Sequence, residues 1–155
     1  MKKHLVVMAT LLFLMAVPAS AQYWGVPGST GDVDESAASI YEKTGASLKF
    51  KSASTGTIVA RYPIWSPVSA NPGWTTLGVA FGGPGVSVRV IELSHCLRFE
   101  DEIASQTFTA TDQNSCEPLS ISHTWDFANY SYYVEVTLTR GSTSTNPQLH
   151  QLHLQ

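Results

Sequence analysis

Residues 130–140, Tyr-Ser-Tyr-Tyr-Val-Glu-Val-Thr-Leu-Thr-Arg, carry the clearest strand pattern of the chain. Two sets of side chains alternate along this stretch: Tyr132, Val134, Val136 and Leu138 in one phase, and Tyr133, Glu135, Thr137 and Thr139 in the other. Because successive side chains of a strand point to opposite sides, the first set predicts a core face and the second an outward face. Such alternation is typical of an antiparallel sheet with one face on the core.

Two pairs of similar segments lie upstream, and each pair flanks residues that favour a turn. Residues 48–51 and 57–64 are separated by a Ser/Gly-containing turn, and residues 75–81 and 86–93 flank Gly82-Gly83-Pro84-Gly85. Both arrangements predict a β-hairpin. Within the last segment the apolar phase changes, which indicates either a β-bulge near Val90 and Ile91 or a strand covered on both faces.

Weaker period-two segments at residues 104–110, 119–125 and 149–154 raise the total to seven or eight short strands, and no segment has a helical period. Short strands between turn-forming residues are typical of an all-β fold. We predict a single antiparallel β-sandwich, Ig-like or jelly-roll-like, over residues 37–155, preceded by an irregular arm at residues 22–36. Residues 36–43 fit either a helical turn or an edge strand.

The first 21 residues have the composition of a signal peptide. A basic start at Lys2 and Lys3 precedes an apolar run at residues 5–17, and Pro18-Ala19-Ser20-Ala21 supplies the small residues that cleavage requires. The run is shorter than the roughly 20 residues of a membrane-spanning helix. We predict cleavage after Ala21, export to the periplasm or the extracellular space of a bacterium, and no integral membrane segment in the mature chain.

Cleavage also shifts the charge balance. Without Lys2 and Lys3, seven basic residues face twelve acidic ones, a net charge of −5. The remaining basic residues are scattered and form no stripe for a phosphate backbone, so we expect no nucleic-acid partner.

Cys96 and Cys116 are the two cysteines of the chain. In an oxidising compartment an isolated pair predicts a disulfide, here closing a loop that would stabilise the fold by about 3 kcal/mol. The pair lacks the Cys-x-x-Cys spacing of redox sites.

The histidines offer little for catalysis or metal binding. His123 and Asp126 form a candidate base and orienting carboxylate, but the chain has no Gly-x-Ser-x-Gly and no His-Glu-x-x-His motif. His150 and His153 fall on opposite faces of a strand. The acidic stretch at residues 32–35 lacks the full ligand set of an EF-hand, although calcium there stays open. We predict no catalytic residue, no metal and no cofactor.

Aromatic residues in or beside predicted loops suggest recognition of a ligand: Trp24, Tyr62, Trp65 and Trp74. Exposed rings there would stack on sugars or on partner side chains, whereas buried rings would fill the sandwich. We predict an exported, non-enzymatic module that recognises a carbohydrate or another envelope or extracellular protein. Two alternatives are a hydrolase around His123 and Asp126, and an assembly subunit that pairs through an exposed edge at residues 149–154.

Overall fold

The computed structural model describes residues 23–66, 70–97 and 99–155, and within these ranges it contains two antiparallel sheets. The strands are β1 (Trp24–Pro27), β2 (Asp32–Val33), β3 (Tyr41–Thr44), β4 (Ser47–Phe50), β5 (Gly56–Ile64), β6 (Thr76–Gly82), β7 (Val86–Ser94), β8 (Glu100–Phe108), β9 (Ser115–Ser120), β10 (Tyr130–Arg140) and β11 (Gln148–Leu154). The first sheet has the order β3-β4-β11-β6-β9, with β1 also paired to β11, and the second has the order β2-β5-β10-β7-β8. The predicted β-sandwich is therefore confirmed.

The connections define a jelly roll. From β4 onward every connection crosses between the sheets except the one from β7 to β8, so each sheet receives four of the eight main strands. Two facing four-stranded sheets linked in this way are typical of the jelly roll and not of the Ig fold. The described strands outnumber the predicted seven or eight because β1, β2 and β3 are short additions near the N-terminus.

Both predicted hairpins are wrong. Strands β4 and β5 lie in different sheets, and so do β6 and β7. Gly83 and Gly85 do adopt positive φ angles of 70° and 91°, but the reversal carries the chain across the sandwich. Turn residues and alternation predict that the chain reverses direction. Which strand each segment pairs with is decided by how the apolar faces of the two sheets are buried.

The central strand of the second sheet is β10, which pairs with β5 on one side and with β7 on the other. Its predicted core face is buried as expected. A bulge lies at the predicted place, between Val90 and Ile91, but its extra residue is Ile103 of β8, while β7 keeps an unbroken register with β10. The apolar phase of β7 changes because Val90 faces the core and Ile91 faces the opposite side, and both are buried, as the alternative of a strand covered on both faces predicts.

The N-terminal arm is not irregular, contrary to the prediction. Its first strand, β1, pairs with β11 in the first sheet, and β2 pairs with β5 in the second. Gly28 permits this close approach, because a Cβ there would lie 2.2 Å from the carbonyl oxygen of Leu149. The undecided residues 36–43 contain both forms, since a 3-10 turn at Glu35–Ala37 precedes β3.

The C-terminal strand β11 is interior, so the predicted exposed edge at residues 149–154 is wrong. One side of β11 pairs with β6, and the other is shared by β4 and β1. Because β1 of the N-terminal arm pairs beside β4, both sides of β11 are hydrogen-bonded, and β11 itself has no free edge for a partner strand.

The predicted disulfide is absent, and Cys96 and Cys116 are both free and exposed. Cys116 pairs with Ala80, close to the turn that precedes Val86, whereas Cys96 lies beyond Ser94 at the far end of β7. At about 3.3 Å per strand residue, roughly 20 Å or more separates the two residues along the sandwich. A disulfide needs Cα atoms within about 7 Å.

The predicted signal peptide at residues 1–21 lies outside the described residues. Among the residues that are described, no helix has the length and apolar character needed to span a membrane.

Candidate functional site

The second sheet presents a polar surface on the side away from the core. Alternation along its strands turns every second side chain outward, and the hydrogen-bonded ladders fix their positions. We call this surface the outer face. Its members on the strands are Asp32, Thr57, Val59, Arg61, Pro63, Ser87, Arg89, Ile91, Leu93, Glu100, Glu102, Ser105, Thr107, Ser131, Tyr133, Glu135, Thr137 and Thr139, and it is extended by Asp34 and Trp65, which directly follow β2 and β5.

A row of alternating charges crosses the middle of the outer face. Glu135 on β10 lies between Arg61 on β5 and Arg89 on β7, in direct cross-strand register with both. Its Oε2 atom is 3.0 Å from Nη2 of Arg61, and its Oε1 atom accepts from Nε of Arg89 at 3.2 Å and also from Nη2. Asp34 accepts from Arg61 at one end of the row, and Glu102 lies 3.6 Å from Arg89 at the other.

The row fixes the ionisation of its arginines. The hydrogen bond to Asp34 raises the pKa of Arg61, and the hydrogen bond to Glu135 raises the pKa of Arg89, although partial burial lowers both. Glu135 is only 7% exposed, so its carboxylate depends on the two guanidinium groups for its charge compensation.

The bulge in β8 shapes one end of this row. Because Ile103 is skipped in the ladder, Glu102 pairs with Ile91 and not with Glu92, which lies in the inward phase opposite Tyr132. The shift turns Glu102 to the outer face, where it reaches Arg89. Bulges often re-aim side chains next to functional sites.

An apolar and aromatic area adjoins the charged row. Tyr133 is half-buried on β10 and pairs across the ladders with Pro63 and Ile91. Burial raises the pKa of the Tyr133 phenol, and the nearby Glu100 carboxylate raises it further, so the hydroxyl stays protonated. Ile91 is 3% exposed although it points away from the core.

Trp65 directly follows Ile64, the last residue of β5, and alternation extended by one residue places it on the same side as Arg61 and Pro63. Its side chain is 61% exposed, which leaves an indole at the aromatic end of the outer face. Of the four predicted ligand-binding aromatics, Trp65 is the one that lies on the surface.

On the other side of the row, hydroxyl groups replace the rings. A shallow cavity of about 340 Å³ is lined by Ser87, Val88, Arg89, Ser105, Gln106 and Thr107. The hydroxyl groups of Ser87 and Thr107 lie 2.9 Å apart across the strands. The outer face thus changes along the strands from aromatic, through charged, to hydroxyl-bearing.

The other three predicted ligand-binding aromatics are core residues, which corrects the prediction. Trp24, Tyr62 and Trp74 are buried, and the Tyr62 hydroxyl donates to the Gly28 carbonyl at 2.6 Å. Trp74 packs edge-to-face on Trp125, with ring centroids 5.5 Å apart. These rings fill the sandwich and its open end, as large aromatic side chains usually do.

The predicted pairing of His123 with Asp126 is not formed. His123 Nε2 lies 2.9 Å from Glu92, whose carboxylate also accepts from the Tyr132 hydroxyl at 2.7 Å. Asp126 accepts from the Asn129 side chain at 2.7 Å, and hydrogen bonding within this turn lowers its pKa. The two side chains therefore have different partners, Glu92 for His123 and Asn129 for Asp126.

A serine–histidine contact does occur elsewhere, where Ser131 lies 2.9 Å from His95 Nε2. Both residues are exposed, so this contact is open to solvent, whereas a catalytic pair usually lies in a site that excludes water. Across the described residues no group of three or more His, Cys, Asp or Glu side chains is arranged to hold a metal ion. In the acidic stretch at residues 32–35, Asp34 is paired with Arg61.

The residues of the charged row were missed by the sequence analysis. Arg61, Arg89, Glu135 and Tyr133 all occupy the outward phase of predicted strands, so their common side was readable. That these residues meet in one row could not be predicted, because the pattern of the sequence does not give the order of the strands in the sheet.

No family model matches this chain, and no curated protein matches it at a significant level. Several solved structures are similar to it. One is a family two carbohydrate esterase from Cellvibrio japonicus, with 14% sequence identity and a TM-score of 0.42 over 85% of this chain and 33% of that chain. Another is a family 11 carbohydrate-binding module from Clostridium thermocellum in complex with a mixed-linked tetrasaccharide, with 12% identity and a TM-score of 0.46 over 86% of this chain and 88% of that chain. A third is a carbohydrate-binding module CBM36 in complex with calcium and xylotriose, with 10% identity and a TM-score of 0.43 over 85% of this chain and 99% of that chain. This chain spans about a third of the esterase. The jelly-roll assignment rests on the order of its own strands.

Proposed function

We propose that this protein binds a hydroxyl-rich oligosaccharide, without catalysis, on the outer face of the second sheet. The observation that carries the proposal is the exposed Trp65 on the same face as Tyr133 and the row of Arg61, Glu135 and Arg89. Rings supply flat apolar area for a sugar face, and ordered carboxylates and guanidinium groups supply hydrogen bonds of fixed direction.

The size of the face favours a chain of sugars over a single ring. The ladder of β5 with β10 ends at the pair of Ile64 with Tyr132, Trp65 is one residue beyond it, and the hydroxyl-bearing end is level with Thr137. Six strand residues separate these levels, a span of roughly 20 Å. A ligand that contacts Trp65, Arg89 and Thr107 together must therefore be an oligomer.

A location outside the cytoplasm and a single functional domain complete the proposal. The leader at residues 1–21 would deliver the protein to the periplasm or the extracellular space, where polysaccharides are available. The proposal of a non-enzymatic role is supported by the way His123 and Asp126 are held by Glu92 and Asn129.

The test compares ring deletions on and off the outer face. Trp65→Ala should weaken binding to a panel of soluble neutral polysaccharides at least about tenfold, because it removes a stacking surface worth roughly 1.4 kcal/mol or more. Its free energy of unfolding should change by less than about 0.5 kcal/mol. Affinity electrophoresis and denaturant titration measure the two quantities.

Tyr23→Ala is the matched control, because Tyr23 is an exposed ring next to β1 in the first sheet. It should leave binding unchanged. Trp74→Ala should instead destabilise the fold by about 3–5 kcal/mol. If the wild type binds no member of the panel, or if Tyr23→Ala and Trp65→Ala weaken binding equally, the outer face is not the site.

A further inference from the structure

We infer that the outer face selects uncharged glycans and rejects those that carry carboxylate or sulfate groups. The inference rests on the proposed function and specifies the substrate class of the same site. It depends on the charge of the outer face as a whole, and on which hydrogen-bonding groups that face leaves available.

Acidic groups outnumber basic ones on the outer face. Five carboxylates belong to it, and they are Asp32, Asp34, Glu100, Glu102 and Glu135. Among the described residues the basic members are Arg61 and Arg89, so the described part of the face has a net charge of −3. The ladder fixes most of these positions, since Asp32 lies opposite Arg61 and Glu100 lies opposite Leu93 on β7.

The two arginines are already committed to protein carboxylates. Arg61 directs Nη1 to Asp34 and Nη2 to Glu135. Arg89 directs Nε and Nη2 to Glu135 and approaches Glu102 through Nη1. An incoming anion would compete with these carboxylates for the guanidinium groups, whereas a hydroxyl group can donate to the exposed carboxylate oxygens.

Hydrogen-bond chemistry leads to the same selection. Ionised carboxylates only accept, and the outer face presents four that are not buried, Asp32, Asp34, Glu100 and Glu102, beside hydroxyl groups that can do either. A neutral sugar donates through each hydroxyl, while a uronate or sulfate group only accepts. Like charges across a binding surface are an effective way to exclude a competing ligand.

The experiment compares one neutral polysaccharide that binds with its own carboxymethylated derivative. At about 0.01 M salt, where charges interact over roughly 30 Å, the derivative should bind at least about tenfold more weakly. At about 1 M salt, where screening acts within roughly 3 Å, the difference should shrink. Steric obstruction by the added groups does not depend on salt, so the shrinkage identifies charge repulsion as the cause.

A double variant tests whether the outer face supplies the repulsion. Asp32→Asn combined with Glu102→Gln removes two of the five negative charges and should reduce the ratio of the two Kd values at low salt several-fold. Asp112→Asn, an exposed acid in the loop between β8 and β9, is the control for a general change in net charge and should reduce the ratio by less than the double variant does.

The outcomes separate this inference from the proposed function. Equal or tighter binding of the carboxymethylated form at low salt overturns the inference and leaves saccharide binding intact. A ratio that neither salt nor the double variant changes also overturns it. If neither polysaccharide binds at any salt concentration, the proposed function itself fails.

Discussion

Glu135 is the residue on which the charged row depends. It is almost fully buried between two half-exposed arginines, and its two oxygens compensate both of them. Glu135→Gln keeps the shape of the side chain but leaves Arg61 and Arg89 as like charges on adjacent positions. We expect the free energy of unfolding to fall by about 1–3 kcal/mol.

Glu102→Gln is the control for this prediction, because Glu102 contacts Arg89 at 3.6 Å in an exposed position. An exposed pair of this kind contributes little, so the change should stay below about 1 kcal/mol. Urea titration of both variants measures the difference. Equal effects would mean that burial of Glu135 adds nothing to its interactions.

The aromatic residues mark the limit of prediction at this scale. Sequence placed Trp65 and Trp74 in the same proline-rich stretch, and nothing local distinguished them. The exposure of the two side chains differs because Trp65 follows β5 in its outward phase, whereas Trp74 lies at the open end of the sandwich and packs on Trp125. The faces of β10 were predictable because eleven alternating residues define them without reference to any partner.

At the scale of elements, the turn between β6 and β7 carries the chain from one sheet to the other. Gly85 adopts a φ of 91°, and a Cβ there would lie 2.3 Å from the carbonyl oxygen of Thr139. Gly85→Ala should therefore lower the free energy of unfolding by at least about 2 kcal/mol, through both backbone strain and steric overlap.

Gly141→Ala is the matched control, because a Cβ at Gly141 would meet no atom within 4 Å and the residue has no positive φ. Its effect should be neutral, or stabilising by up to about 1 kcal/mol through a less flexible unfolded chain. Thermal or denaturant unfolding of the two variants measures the contrast. A tolerated Gly85→Ala would contradict the geometry of this turn.

The same turn explains why the hairpin of residues 75–93 was mispredicted. Residues 75–93 contain two alternating segments joined by three glycines and a proline, a pattern shared by a hairpin and by a crossing between sheets. Each segment has an apolar face that must be buried, and either arrangement can bury it. Strand identity was therefore predictable from local pattern, whereas strand partners, and with them the row from Arg61 to Arg89, were not.

At the scale of the whole molecule, the fold class was predictable from the combined pattern of all segments. Alternation in most segments and the absence of helical periodicity leave few ways to bury the apolar faces other than a sandwich. The short strands of the N-terminal arm escaped prediction because they have little pattern of their own. They form where β11 and β5 offer unpaired ladders, a condition that exists only in the folded molecule.

The cysteines provide a test of that global arrangement. Cys96 and Cys116 lie toward opposite ends of the sandwich, so the folded protein cannot join them within one chain without moving strands. We expect both thiols to react with a thiol reagent in the native protein. Mild oxidation should yield monomers without an internal bridge or dimers linked between chains, distinguishable by non-reducing electrophoresis and peptide mapping.

The variant in which both cysteines are replaced by serine should unfold at the same denaturant concentration as the wild type, because no cross-link is lost. If the oxidised monomer instead contained a Cys96–Cys116 bridge and were more stable by about 3 kcal/mol, the loop-closure value for that spacing, the far end of β7 would have to lie beside β9 of the other sheet. That result would contradict the relative placement of the two sheets, because β7 and β9 are connected only through their neighbours in separate ladders. The redox experiment therefore tests how the two sheets are stacked, without any ligand.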